Sequence, residues 1–105
     1  MLSFIKQREQ LMRTITLRIK RVYFEAIKSG EKKIEYRDNT MFYRKFFVRG
    51  DAISNIVFHY QNPQDKIKVA VKEIYVIQKP DFLKDSKLVR TESVFAIQLG
   101  EVTAL

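Results

Sequence analysis

Period-two alternation of apolar and polar residues is the feature that most constrains this chain. Across residues 13–21, Ile15, Leu17 and Ile19 share one face of an extended backbone, and Thr14, Thr16, Arg18 and Lys20 share the other. A helix would mix those two sets, so the run predicts a half-buried strand. The same alternation recurs at Ile56, Phe58 and Tyr60, and again at Phe95, Ile97 and Leu99, which are expected to point inward. A long run over residues 66–78 sets Lys66, Lys68 and Lys72 against Ile67, Val69 and Val71, then moves its apolar phase by one to Ile74 and Val76. Such a slip predicts a bulge near Lys72 and Glu73, and bulges often re-aim side chains at sites.

Two segments break the alternation with helical spacing. Tyr23, Ala26 and Ile27 fall at i, i+3 and i+4, so a short helix follows the first strand. Gly30 stands where a left-handed C-cap is wanted, and Lys28 suits the negative end of the helix dipole. A strand then starts at about Lys32, with Ile34 and Tyr36 on one face and Lys33, Glu35 and Arg37 on the opposite one; Tyr36 is expected in the core, with stacking on a base as its alternative role. Residues 38–40 form a turn with a helix cap, after which Phe42, Tyr43, Phe46 and Phe47 repeat at helical spacing. That aromatic cluster is expected to be core, with Arg44 and Lys45 pointing away. Turns or loops are expected at residues 50–51 and 61–65, and a short helix or loop over 80–87. A closing strand is expected over 94–102.

The 105 residues make one domain, taken as 13–105. Residues 1–12 are expected to be either an arm or a helix packing Leu2, Ile5 and Met12 onto the body. The chain has no cysteine, which excludes disulfides and thiolate metal sites. The single histidine, His59, makes a metal site an unfavourable reading, and no cofactor is expected. The three glycines are far apart and build no phosphate-cradling loop. No run approaches the ~18 apolar residues of a membrane span, so none is expected and the cytoplasm is the default compartment. Twenty Lys and Arg against 12 acids give a formal charge of +8, which favours a polyanionic partner such as nucleic acid, an acidic lipid surface or a phosphorylated ligand.

Chemistry therefore rests on Lys, Arg, Glu and Tyr. Lys32, Glu35 and Arg37 crowd into one turn and strand. On a strand, Glu35 and Arg37 share a face about 7 Å apart. A carboxylate there can read an amino or imino edge, and a guanidinium can fork onto a carbonyl or phosphate. Spacing alone favours a solvated face in which Lys33, Glu35 and Arg37 screen one another.

The run over residues 23–37, YFEAIKSGEKKIEYR, resembles the signature of ASCH domains in the PUA-like superfamily. Their Gly-x-Lys-x-x-Glu-x-Arg pattern is matched by Gly30, Lys32, Glu35 and Arg37. Softer similarities lie at residues 48–53, 71–74 and 96–100. The resemblance implies an α+β fold: a small PUA-like β-barrel of about five to six strands with short helices, and a cleft beside the signature. The strands are expected to be mostly antiparallel, because only the first connection holds a helix in a short crossover.

The resemblance also implies recognition of RNA or of a modified nucleoside or nucleotide. Lys32, Glu35 and Arg37, with Lys33, Arg44, Lys45 and Arg49 around them, are the expected ligand contacts. Some small members resembling this length are amidohydrolases that deacetylate N4-acetylcytidine with a lysine, a threonine and a glutamate. Under that alternative Lys32 matches the lysine, Glu35 stands where the threonine would be, and Glu73 is the candidate glutamate. Lys32, Glu35 and Glu73 would then carry the chemistry, with Arg37 anchoring substrate. A third reading is an adaptor whose basic face meets an acidic protein.

Overall fold

The computed structural model describes residues 13–48, 52–61 and 65–105. The expected arm at 1–12, the turn at 50–51, Arg49 and part of the loop at 61–65 lie outside the described residues. The elements run β1 (Arg13–Arg18), α1 (Arg21–Lys28), β2 (Ile34–Asp38), α2 (Met41–Phe47), β3 (Ile53–His59), β4 (Lys66–Gln78), a 3-10 turn (Asp81–Leu83) and β5 (Ser93–Ala104).

The five strands form one mixed sheet in the order β1-β3-β4-β5-β2, curled into a half-barrel with two α-helices. β1 pairs with β3 in parallel, and the other pairs are antiparallel. The first connection carries the chain from β1 at one sheet edge to β2 at the other. The parallel neighbour of β1 is β3, reached after two helices and a strand. That longer right of way is what a parallel crossover requires.

Local chemistry explains the elements. Ile15, Leu17 and Ile19 are buried as the alternation predicts, together with Ile56, Phe58, Ile67, Val69, Ile97 and Leu99. α1 adds Phe24 and Ile27 to the same core. It stops where Gly30 takes φ +84°, a conformation that costs a side-chain-bearing residue but not glycine. Thr40 caps α2 by accepting a hydrogen bond from the Tyr43 backbone N–H at 3.4 Å. The ladder between β4 and β5 shifts register between Val69 and Glu73, where the phase slip places a bulge.

β5 departs from simple alternation. Val94, Phe95, Ala96 and Ile97 are all buried: Ile97 belongs to the common core, and Phe47 of α2 packs edge-on against Phe95 at 5.0 Å. The segment after β4 returns alongside it, with the Lys79 N–H donating to Glu92 O and Val89 buried. A strand covered on both sides has no polar face to display.

Candidate functional site

β2 is an edge strand, and its Glu35, Tyr36, Arg37 and Asp38 line the gap that separates it from the end of β1. The expected facing of β2 is corrected there. Glu35 is buried at 6% exposure, whereas Ile34 and Tyr36 are only half-buried. Tyr36 is therefore cleft wall, not core. Its ring packs edge-on against Phe82 at 5.6 Å, and burial, then the neighbouring Tyr75, pushes its phenol pKa up.

Among the described residues, Glu35 is the one charged side chain that is buried. A buried carboxylate needs partners, and Glu35 has two cations. Arg37 grips Oε2 with Nε at 2.9 Å and Nη2 at 2.8 Å. Lys32 Nζ lies 3.4 Å from Oε1. Arg37 also donates through Nη1 to the Tyr43 hydroxyl at 3.0 Å and through Nη2 to the Arg18 carbonyl at 3.1 Å. One guanidinium thus ties together β2, α2 and the end of β1. Burial works against its charge most strongly, yet Glu35 and Tyr43 outweigh that and hold its pKa above the ordinary value.

Lys32 follows the left-handed Gly30, and its N–H donates to Ala26 O at 2.9 Å, so the turn is anchored to α1. Its ammonium stands 5.4 Å from the Tyr23 ring centroid and 5.7 Å from that of Tyr36. Two π-faces and one carboxylate hold the group at the cleft wall, with donors left to face the open side.

The cleft so formed has a volume of about 900 Å3. Lys32, Glu35 and Arg37 line it together. Tyr23, Tyr36, Tyr43 and Tyr60 give it aromatic walls, and Leu83, Leu88 and Val89 close another side. Arg18, Lys20 and Arg21 make its rim basic.

Not every expected contact reaches this cleft. Glu73 is exposed on β4 opposite Gln98 and is not part of the lining. Arg44 is turned onto Asn39, donating to its side-chain and backbone oxygens at 2.9 and 3.3 Å. Lys45 is exposed on α2, and Lys33 is exposed beside a different hollow. Arg49 lies outside the described residues. Of the α2 aromatics expected as core, Tyr43, Phe46 and Phe47 are half-buried against it and Phe42 is exposed, and the Tyr43 hydroxyl also completes the Arg37 network. Spacing on α2 signals burial and carries no hint of that second duty. Tyr23, Tyr60 and the 83–89 segment likewise meet only through folding. Among the described residues, no group of three or more His, Asp or Glu could hold a metal ion. No helix among them is long and apolar enough to cross a membrane.

The sequence profile of the ASCH domain matches residues 17–96, a stretch that contains the end of β1, the signature and the cleft lining. The chain belongs to the ASCH domain family. Its fold is similar to the crystal structure of a serine-to-alanine mutant of an ASCH protein from Zymomonas mobilis, at a TM-score of 0.55 and 14% identity. The similarity covers 82% of this chain and 66% of that one, so this ASCH chain spans slightly less than two thirds of the longer protein. No curated protein matches the sequence. Within the family signature, Gly30 sets the turn, Glu35 and Arg37 build the wall, and Lys32 faces the opening.

Proposed function

We propose that this ASCH domain binds RNA, or a modified nucleoside or nucleotide, with one base held in the cleft between β1 and β2. The observation that carries the reading is Lys32 poised between two tyrosine rings in a cavity of about 900 Å3 with a basic rim. Flat aromatic faces stack bases, an ammonium meets a carbonyl or phosphate, and basic residues outside position the backbone. Glu35 and Arg37 serve mainly one another in this reading. Both Glu35 oxygens are engaged, and Arg37 has three protein acceptors, so their role is to hold Lys32 and the wall in place.

The amidohydrolase alternative is supported less well. Lys32 and Glu35 are adjacent, but Glu73 is outside the cleft and no threonine lines it. The binding reading is tested by titrating the protein with single-stranded RNA and with a panel of modified nucleosides. Lys32→Ala and Tyr36→Ala are each expected to weaken binding by about tenfold, in line with about 1–3 kcal/mol for a stacked base or a charged hydrogen bond. Unchanged affinity in both variants would remove the cleft as the binding site. Release of acetate from N4-acetylcytidine by the wild type would instead restore the hydrolase.

A further inference from the structure

A second hollow of about 250 Å3 adjoins the cleft, with Lys32 lining both. Two irregularities of the β4–β5 ladder meet there. Val69 pairs with Val102 and Val71 with Leu99, so Gly100 and Glu101 stand against Ala70 alone. One step on, Val71 pairs with Leu99 and Glu73 with Gln98, so Lys72 has no residue opposite. Paired bulges of this kind bend the strands and turn the extra side chain out of the regular pleat.

The consequence is a cationic hollow. The Lys72 stem passes over Gly100, where an added Cβ would lie 3.4 Å from Lys72 Cγ. From the other side of β5, the Lys33 carbonyl accepts the Leu99 N–H at 2.9 Å. Lys33 on β2's side and Lys72 on β4's side therefore flank β5, and both line the hollow with Lys32. Neither has a carboxylate partner among the described residues, including Glu101, the one acid in the lining. Lys32, Lys33 and Lys72 thus line one small concavity, where like charges repel unless an anion joins them.

We infer that this hollow takes a backbone phosphate of a single-stranded RNA whose base occupies the cleft, which makes the ligand an oligonucleotide and not a free nucleoside. The inference rests on the cleft reading above, with Lys32 as the wall common to base and phosphate. Lys33 and Lys72 supply charge and donors to the phosphate oxygens.

The test compares a short single-stranded RNA of random sequence with the four ribonucleosides, across a salt series. The Lys33→Ala/Lys72→Ala double variant is expected to weaken RNA binding by about tenfold. It is also expected to lower the salt slope by about 0.7, the value of one phosphate on a single strand. Nucleoside binding should stay at the wild-type level. Both side chains are exposed, and an unchanged melting temperature verifies the fold. Tyr36→Ala, which touches only the cleft, runs in parallel. Loss of RNA binding in Tyr36→Ala, with wild-type affinity and slope in the double variant, overturns the phosphate site and leaves the cleft reading standing. No loss in either variant overturns both.

Discussion

Glu35 decides the character of this site. A carboxylate at 6% exposure persists because Arg37 and Lys32 neutralise it, and each of those cations depends on it in turn. Glu35→Gln keeps the shape but leaves two cations without their counter-charge. Removing one member of such a network is expected to cost about 3 kcal/mol, visible as a lower urea midpoint with an unchanged slope. Wild-type stability in that variant would mean the ion pairs contribute nothing net. Tyr36 provides a pH prediction. Its raised phenol pKa means the folded state holds the proton longer than the unfolded one. Its contribution to stability is therefore complete below the ordinary tyrosine range and is lost as pH rises through the folded-state value. Alkaline denaturation should steepen above about pH 10 in the wild type relative to Tyr36→Phe. At this scale the signature residues were legible by type, but their facing was not. Alternation places Glu35 outside because it assumes that only apolar groups are buried, and an edge strand with two adjacent cations breaks that assumption.

Two elements carry the site, and each depends on one local contact. α1 ends at Gly30, whose positive φ aims the following turn so that Lys32 meets Glu35. An added Cβ there would touch nothing within 4 Å, so Gly30→Ala is a test of backbone conformation alone. It should destabilise by about 1–2 kcal/mol in thermal or chemical melts. α2 begins at Thr40, and its cap sets the orientation in which Tyr43 reaches Arg37. Thr40→Ala should cost about 1 kcal/mol, and Tyr43→Phe about the same through the lost hydrogen bond. Because both act on one Arg37 contact, their effects should fall short of additive in a double-mutant cycle. Most element positions were legible. Both helices, the Gly30 turn, the β4 span and its bulge follow from spacing that any local segment displays. β5 was read only in part, because its burial depends on distant packing such as Phe47 of α2 on Phe95.

On the scale of the molecule, the sheet is open where a closed barrel would be paired. β1 and β2 are its two edges, and the cleft occupies the space between them, bridged by the Arg37 contact with the Arg18 carbonyl. Arg18, Lys20 and Arg21 line that opening, and Lys33 and Lys72 the adjoining hollow. Under the binding reading, RNA affinity should fall steadily as salt rises, since each phosphate contact releases condensed counterions. An affinity flat across the salt series would count against any backbone contact.

By itself the sequence determined the family, the strand and helix inventory, the core of β1, β3 and β4, and the three residues that meet in the cleft. These depend on periodicity and on a compact motif, where neighbours in sequence are neighbours in space. Only the tertiary structure decided which strands are edges, that the sheet stays open, and that Tyr23, Tyr43 and Tyr60 join Lys32 while Glu73 does not. Those are long-range relations. They arise when the sheet curls and two distant segments cover it, and no local pattern encodes the distance between strands that never pair.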